Sequence, residues 1–394
     1  MAEDRNRANL LNGFVRLPAP PSPDAEIPGF EGVRLTVEEA EESLSSAADR
    51  LALPKALVAR EDFNILAISG GAAGGAFGAG ALVGLTAAGT RPDFAIVTGV
   101  STGALIAPFA FLGPDWDDRL RDAYTGGHAS KLLSIGGLST NLGGVFKGEQ
   151  LERLLEPFVN DEMVAAVAER HAQGRRLLVA TTDLDSQRTV IWNMGEIAAV
   201  GGRAATQLFR DVLIASASLP GLFPPRRFAV AFEGVGYEEM HVDGGVATPL
   251  FVMPEALLRW RNLRHRLQRS RIYLIVNTVL EDAPRTTGNN VPAVLIRSFD
   301  TMLRFSYRQA ISMTTNFCAA HRLPLSITSI RPEPAQGSMM SFDTASMQRT
   351  FDTAYERALT GELWVTPTAD PARPAFLGAL MSRWGASAPR RPAG

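Results

Sequence analysis

Ser101 is the residue of this chain best placed for covalent chemistry. It stands in Gly99-Val100-Ser101-Thr102-Gly103, directly after the apolar run Phe94-Ala95-Ile96-Val97. G-x-S-x-G between a strand and a helix is a nucleophile elbow, and Gly99 and Gly103 leave the room that so sharp a turn needs. A serine used in this way attacks an acyl carbon. It needs a base for its proton and hydrogen-bond donors for the negative oxygen of the tetrahedral intermediate.

The usual base is histidine, and the chain has five: His128, His171, His241, His265 and His321. His265 lies in an arginine-rich segment, and His321 follows a long helical stretch. Neither has the strand-end setting that a triad histidine takes. Asp243 has it. It follows the strand expected at Tyr237–Val242 and precedes Gly244-Gly245, so the backbone can turn sharply behind a carboxylate at a strand end. As sole base, Asp243 would take the Ser101 proton directly. An exposed aspartate, with a pKa of roughly 3.9, is a poor base, so burial that raises it would help. His241 shares a strand face with Asp243 by its spacing of two, and reads as a plain strand histidine rather than one of a metal pair.

A second strand–turn–helix unit lies upstream. Phe63-Asn64-Ile65-Leu66-Ala67-Ile68 runs into Ser69-Gly70-Gly71-Ala72-Ala73-Gly74-Gly75. It lacks the G-K-[ST] of a Walker A loop and a clean G-x-G-x-x-G. Backbone N–H groups at the start of the following helix suit an anion, and close helix-on-strand packing is the plainer alternative.

With these blocks and Ala215-Ser216-Ala217-Ser218-Leu219-Pro220…Phe223-Pro224-Pro225, the chain resembles the patatin-like phospholipase family over roughly Asn64 to Thr248. The resemblance implies an α/β fold of three layers, a mainly parallel central sheet with helices on both faces. It implies a Ser-Asp dyad with Ser101 as nucleophile and Asp243 as base. It also implies an oxyanion hole from the backbone of Gly70, Gly71 and Ala72, with Gly99, Gly103, Gly244 and Gly245 as supporting turns. The expected activity is hydrolysis of fatty-acyl esters of phospholipids or neutral lipids through an acyl-enzyme, with no metal or organic cofactor. The alternatives are an acyltransferase or thioesterase on the same fold, and a non-catalytic lipid-binding relative. The family's loop reads G-G-G-x-R/K-G. Here Ala72 replaces its third glycine, and Gly74 stands where its basic residue would be.

The elements that must position these residues follow from periodicity. Strands alternate with helices, which argues for a mainly parallel sheet covered on both faces. Strands are expected at Phe63–Ser69, Phe94–Thr98, Arg176–Thr182, Arg188–Trp192, Phe228–Phe232, Tyr237–Val242, Arg271–Val276 and Leu325–Ile330. Helices are expected over 37–59, 75–88, 103–112, 149–170, 204–217, 291–320 and 346–359, with small residues Gly75, Ala79 and Gly80 letting the one over 75–88 pack closely on the sheet. Asp183-Leu184-Asp185-Ser186-Gln187 reads as a turn rather than a metal pair. Tyr124–Gly148 suits either a mobile flap over an apolar site or a surface connection. The six arginines of 259–271 belong to a helix that solvates them, or to a surface facing anionic lipid.

The chain divides on this reading into a flexible Pro-rich tail (1–30), a helical lead-in (31–62), a catalytic domain (63–360) and a C-terminal extension (361–394). Of its 394 residues, 46% are hydrophobic, and 39 basic against 41 acidic side chains leave a formal charge of -2. Nothing in that balance points to nucleic acid. The single cysteine, Cys318, rules out an internal disulfide and a Cys-rich zinc site, and reads as an inert core residue. The amino terminus is charged and lacks the apolar centre of a signal peptide. The uncharged stretches 64–90 and 94–114 are long enough for membrane spans, but their glycine turns mark them as buried α/β core. The expected partner is a lipid or acyl ester, and the expected location is cytoplasmic or at a membrane surface through peripheral contact.

Overall fold

A computed structural model describes residues 16–36, 64–130, 148–250, 271–282, 284, 286–332 and 342–367. Among these residues nine strands form one sheet. They are β1 (Arg34–Thr36), β2 (Asn64–Ile68), β3 (Phe94–Val100), β4 (Arg176–Asp183), β5 (Arg188–Asn193), β6 (Arg226–Phe232), β7 (Val235–Asp243), β8 (Arg271–Val279) and β9 (Leu325–Ile330). The helices are α1 (Gly75–Ala87), α2 (Thr102–Leu112), α3 (Asp117–Thr125), α4 (Gly148–Leu155), α5 (Asp161–Ala172), α6 (Met194–Val200), α7 (Gly202–Ser216), α8 (Val291–His321) and α9 (Thr344–Leu359).

The centre of the sheet, β4-β3-β2-β8-β9, is parallel throughout. Antiparallel strands flank it: β5 against β4, β1 against β5, and the hairpin β6–β7 against β4. This is an α/β fold with a mostly parallel central sheet and helices around it. Every residue of β2 is buried, as expected of a strand covered on both faces. Its side chains alternate between two cores. Leu66 and Ile68 join the larger one with Phe77, Leu82, Phe109, Phe209 and Phe351, under α1, α2, α7 and α9. Ile65 and Ala67 join the other with Val100, Leu274, Leu303, Tyr307 and Ile311. Among the described residues α8 is the helix that covers this second face.

The glycines of α1 do a different job from the one expected. A Cβ on Gly80 would stand 2.8 Å from the carbonyl carbon of Phe351, and one on Gly84 would stand 2.7 Å from Tyr355 O. The small stripe thus admits the backbone of α9, while Gly78 faces the sheet at Asn277 and Ile275. The helix expected over 149–170 is two. Pro157 interrupts it, and Asn160 caps α5 by accepting from Met163 N at 3.0 Å.

Residues 16–36, expected partly as a non-packing tail, lie against the sheet. Ala25, Ile27, Phe30 and Val33 are buried, and Glu26 exchanges backbone hydrogen bonds with Ala231. Prolines suppressed the strand signal there, and a three-residue strand is too short to show a period. The helix expected over 37–59, most of the flap expected at 124–148, the arginine-rich segment 259–270 and the tail 388–394 lie outside the described residues. No helix among the described residues is long and apolar enough to cross a membrane.

Candidate active site

The two residues expected to react meet because of one strand edge. β3 runs beside β4 as far as Val100, opposite Ala180. β7 arrives on the same edge from the other direction and ends with Asp243 opposite Thr181. Ala180 and Thr181 are adjacent, so the ends of β3 and β7 abut. Ser101 and Asp243 are thereby neighbours in space although 142 residues apart. The junction is tight. A Cβ on Gly244 would lie 2.8 Å from the carbonyl carbon of Ala180 and 3.0 Å from Val100 Cγ1.

Ser101 takes φ 57° and ψ −129°, a strained conformation for a residue with a side chain and the one the elbow demands. The turn fits under β2 because residue 103 is glycine: a Cβ there would come 2.6 Å from Ser69 O. Ser101 N donates to Ser216 Oγ at 3.0 Å, and Ser216 Oγ donates to Ala180 O at 2.7 Å. Asp243 N donates to Ser218 O at 3.0 Å. The end of α7 therefore holds both candidate residues by their backbones. This is a role for Ser216 and Ser218 that their occurrence in the fourth motif block did not reveal.

Ser101 Oγ donates to Asp243 Oδ2 at 2.6 Å, and Gly245 N donates to Asp243 Oδ1 at 2.7 Å. Asp243 is 1% exposed. Burial pushes its pKa up to about 7, against the opposing pull of the hydrogen bonds from Ser101 and Gly245. No histidine lines the site among the described residues. His241 is buried and held elsewhere, Nδ1 by Thr181 Oγ1 at 2.9 Å and Nε2 by Glu239 Oε2 at 3.0 Å, with Arg34 closing the pair on Glu239. Asp183 binds the backbone of Asp185 and Ser186, as a turn residue does. The described residues contain no cluster of His, Cys, Asp or Glu that could hold a metal ion. Cys318 is buried in the second core, and burial pushes its thiol up to about 12.

The glycine loop faces Ser101 from β2. Gly71 and Ala72 line the same cavity as Ser101, whereas Gly70 packs behind them against Ser101 Cβ and Tyr307 Oη. Gly71 (φ 151°) leaves no room for a side chain, since a Cβ would lie 2.6 Å from the carbonyl carbon of Asn277. Ala72, with φ 50°, occupies the left-handed region despite its methyl group. Asn277 organises the loop from β8. Its Nδ2 donates to Ser69 O, its N to Ser69 Oγ, and its Oδ1 accepts from Gly78 N. A polar residue ending the apolar run Ile272–Val276 was the signal for it in the sequence.

The site lies beyond the carboxyl ends of the strands. The order leads one way from β2 through β3 to β4, and the other way through β8 to β9. Such a switch point is where open α/β sheets bind ligands. The cavity there encloses about 600 Å3. Leu105, Phe109, Leu151, Leu154, Phe158 and Leu213 make one wall, and Phe299 and Leu303 of α8 belong to another. Ser101 and Asp243 are on its surface. The arrangement can deliver a serine oxygen, a base and backbone donors to the polar end of a long apolar molecule.

Loss of the Ser216 hydroxyl should show how far the elbow depends on α7. Ser216→Ala leaves the buried Ser101 N–H without its acceptor, at a cost of about 1–3 kcal/mol. The expected result is a lowered Tm in thermal denaturation together with slower turnover, because the displaced residue carries the candidate nucleophile.

A search of curated protein sequences finds no match to this chain. Among solved structures, VipD from Legionella pneumophila is similar at 14% identity and a TM-score of 0.39, over 77% of this chain and 67% of that one. Human GIVD cytosolic phospholipase A2 is similar at 12% identity and a TM-score of 0.41, over 88% of this chain and 67% of that one. Residues 66–254, which run from β2 past Asp243, match the patatin-like phospholipase family. The similarity to that family thus spans the part of the chain that holds both Ser101 and Asp243.

Proposed function

We propose that this protein is a lipid acyl hydrolase that cleaves fatty-acyl esters through a Ser101–Asp243 dyad. The observation that carries the reading is the 2.6 Å hydrogen bond from Ser101 Oγ to a buried Asp243 at the surface of an apolar cavity. The fatty chain lies along the leucine and phenylalanine wall. Each methylene taken out of water there contributes about 0.8 kcal/mol to binding. Ser101 Oγ attacks the ester carbonyl as its proton passes to Asp243. The carbonyl oxygen becomes an oxyanion facing the glycine loop, where the backbone N–H groups of Gly71 and Ala72 receive it, with Gly70 supporting the turn. Asp243 returns the proton to the leaving alcohol. Water then attacks the acyl-enzyme with Asp243 again as base. The boundaries proposed for this catalytic unit are residues 63–360.

A fluorophosphonate probe and a p-nitrophenyl ester series test the proposal. Wild type should be labelled and should turn over the longer acyl chains, and Ser101→Ala should do neither. Equal labelling of Ser101→Ala would overturn the reading.

The pH dependence is a separate check. Asp243 must be ionised to accept a proton, and burial has moved its pKa to about 7. Activity should therefore rise with pH, pass its midpoint near 7 and level off above it. A profile already flat between pH 5 and 8 would mean that another group is the base.

A further inference from the structure

A surface helix ordinarily buries an apolar stripe and turns its charges to water. α8 does only the first. Leu303, Tyr307, Ile311 and Cys318 pack into the second core. The outward face is apolar as well: Val291 is 71% exposed, Leu295 and Met302 are 64%, Phe305 is 63%, and Val294 and Met313 are half exposed. At 3.6 residues per turn these six positions fall within an arc of about 100°, along roughly 33 Å of helix. Ser298, Gln309 and Asn316 share that side. Among the described residues, no exposed position between Val291 and Ala320 carries a charge.

The charged side chains of this span are Arg297, Asp300, Arg304 and Arg308. They lie to one flank and are tied down. Arg297 and Arg304 pair with Asp300 at 3.0 and 3.6 Å, Arg308 pairs with Asp282 at 2.8 Å, and Arg304 also donates to Glu281 O. The flank therefore has no strong excess of either sign.

The apolar face runs into the cavity. Val291 and Leu295 belong to both, exposed on α8 and lining the space beside Ser101, and Phe299 and Leu303 continue the lining inward. Leu303 Cδ2 lies 3.5 Å from the point where a Cβ on Gly245 would stand, so α8 passes beside the Asp243 turn.

We propose that the outward face of α8 docks on the surface of a zwitterionic lipid bilayer and passes a lipid chain into the cavity. The inference rests on the acyl-hydrolase reading above and deepens it, because it names membrane lipid as the source of the substrate. The absence of charge favours lipid over a protein partner, whose interface would carry a polar and charged rim. Continuity with the cavity favours it too. A chain leaving the bilayer over Val291 and Leu295 enters without crossing water, whereas a protein seated there would cover the opening. The charged flank keeps the helix in the plane of the interface rather than across it. Docking driven by apolar burial, without counter-ions to release, should be insensitive to salt.

Flotation of the full chain with phosphatidylcholine vesicles tests the proposal, beside kcat and KM on a soluble p-nitrophenyl ester, Tm, and the mass in solution by light scattering. The variant combines Met302→Gln with Phe305→Gln, at two exposed positions that do not line the cavity. Val200→Gln, at an exposed apolar position of α6, is the control. Wild type should float equally at low and high salt. The double variant should partition about tenfold less, because two large apolar side chains have left the contact. Its Tm and its kinetics on the soluble ester should match wild type, and Val200→Gln should float as wild type does. Undiminished flotation of the double variant, an equal loss in Val200→Gln, or wild-type flotation that needs anionic lipid and disappears at high salt would each overturn the proposal. A wild-type dimer that the double variant splits would overturn it in favour of a second copy on this face. A wild type that hydrolyses the ester but does not float loses the docking face and keeps the acyl-hydrolase reading. One that floats through this face, yet neither hydrolyses the ester nor takes up the fluorophosphonate probe, keeps the docking face and loses that reading.

Discussion

Asp243→Asn is expected to abolish turnover and, at the same time, to make the protein more stable above pH 7. The loss of activity follows because asparagine cannot take the Ser101 proton. Proton transfer by a positioned group contributes about 10²–10⁴-fold, and with no histidine lining the cavity among the described residues the loss should lie near the upper end. The gain in stability follows from linkage. The folded protein binds a proton at Asp243 with a pKa of about 7, against an ordinary value of 3.8. Between those values the folded state holds more protons than the unfolded state, so wild-type stability falls as pH rises from about 4 and levels off above about 7. At about 1.4 kcal/mol per pH unit, ionising this buried group costs on the order of 4 kcal/mol at pH 8. Asparagine has no charge to bury and can still accept from Gly245 N. Urea titrations of both proteins at pH 5 and pH 8 should therefore diverge, with the variant ahead at pH 8 and the difference shrinking at pH 5. A variant that is inactive but less stable at pH 8 would mean that the Asp243 carboxylate is compensated by partners the hydrogen bonds above do not include. A variant that still hydrolyses esters would remove Asp243 as the base.

Ser101 stood out in the sequence as the candidate nucleophile because an elbow is local. Gly99, Ser101 and Gly103 fall within five residues, and the strand and helix on either side announce themselves by apolar runs. Asp243 stood out as a candidate only beside the other motif blocks, because a carboxylate between a strand and two glycines is by itself usually a turn. That the two would touch was not legible. Their meeting depends on the register of β3 and β7 along a shared edge of β4, and no local pattern encodes which strand follows which along an edge. Ser216, Ser218 and Asn277 escaped for a related reason. Each bonds the backbone of a residue far away in sequence, Ser216 by its hydroxyl, Ser218 by its carbonyl and Asn277 by its side-chain amide. The alternation of β2 between two cores was legible in outline, but its depth was not: α8 brings Tyr307 through the second core to within reach of the glycine loop. The helix break at Pro157–Asn160 carried its own signals, a proline and an N-cap asparagine, and the apolar spacing on either side concealed them.

Gly74→Arg, which returns the family's basic residue to the loop, is expected to damage the protein rather than restore a lost cation. A Cβ at position 74 would lie inside contact distance of Asn277 O, 3.1 Å from its carbonyl carbon and 3.1 Å from Ile330 Cδ1. Two of these atoms are backbone of β8, and Ile330 ends β9. Only the Ile330 methyl is the free end of a side chain; the two backbone atoms cannot yield alone, so the loop or the sheet must shift to admit even the first carbon. Overpacking of this kind costs about 1–3 kcal/mol, and occasionally more. The long cationic stem adds to it, because the neighbouring carbonyl accepts only one of the guanidinium donors. The consequences extend to the site. Asn277 holds Ser69 by two hydrogen bonds and limits Gly71 from behind, so displacing it disturbs the oxyanion loop as well as the fold. Thermal denaturation should show a Tm lower by several degrees, and the fraction that remains folded should have reduced kcat. Gly74→Ala isolates the steric part, because it adds one carbon and no charge, and most of the damage should already be present in it. If Gly74→Ala has the stability of wild type, the loop yields easily and space does not explain the absence of a cation. If Gly74→Arg is stable and more active on anionic phospholipid vesicles than wild type, the position has kept the family's geometry and lost only its charge. On the packing described here, β8 has closed over the position that the cation would occupy, and the oxyanion hole proposed for this loop would have backbone donors alone.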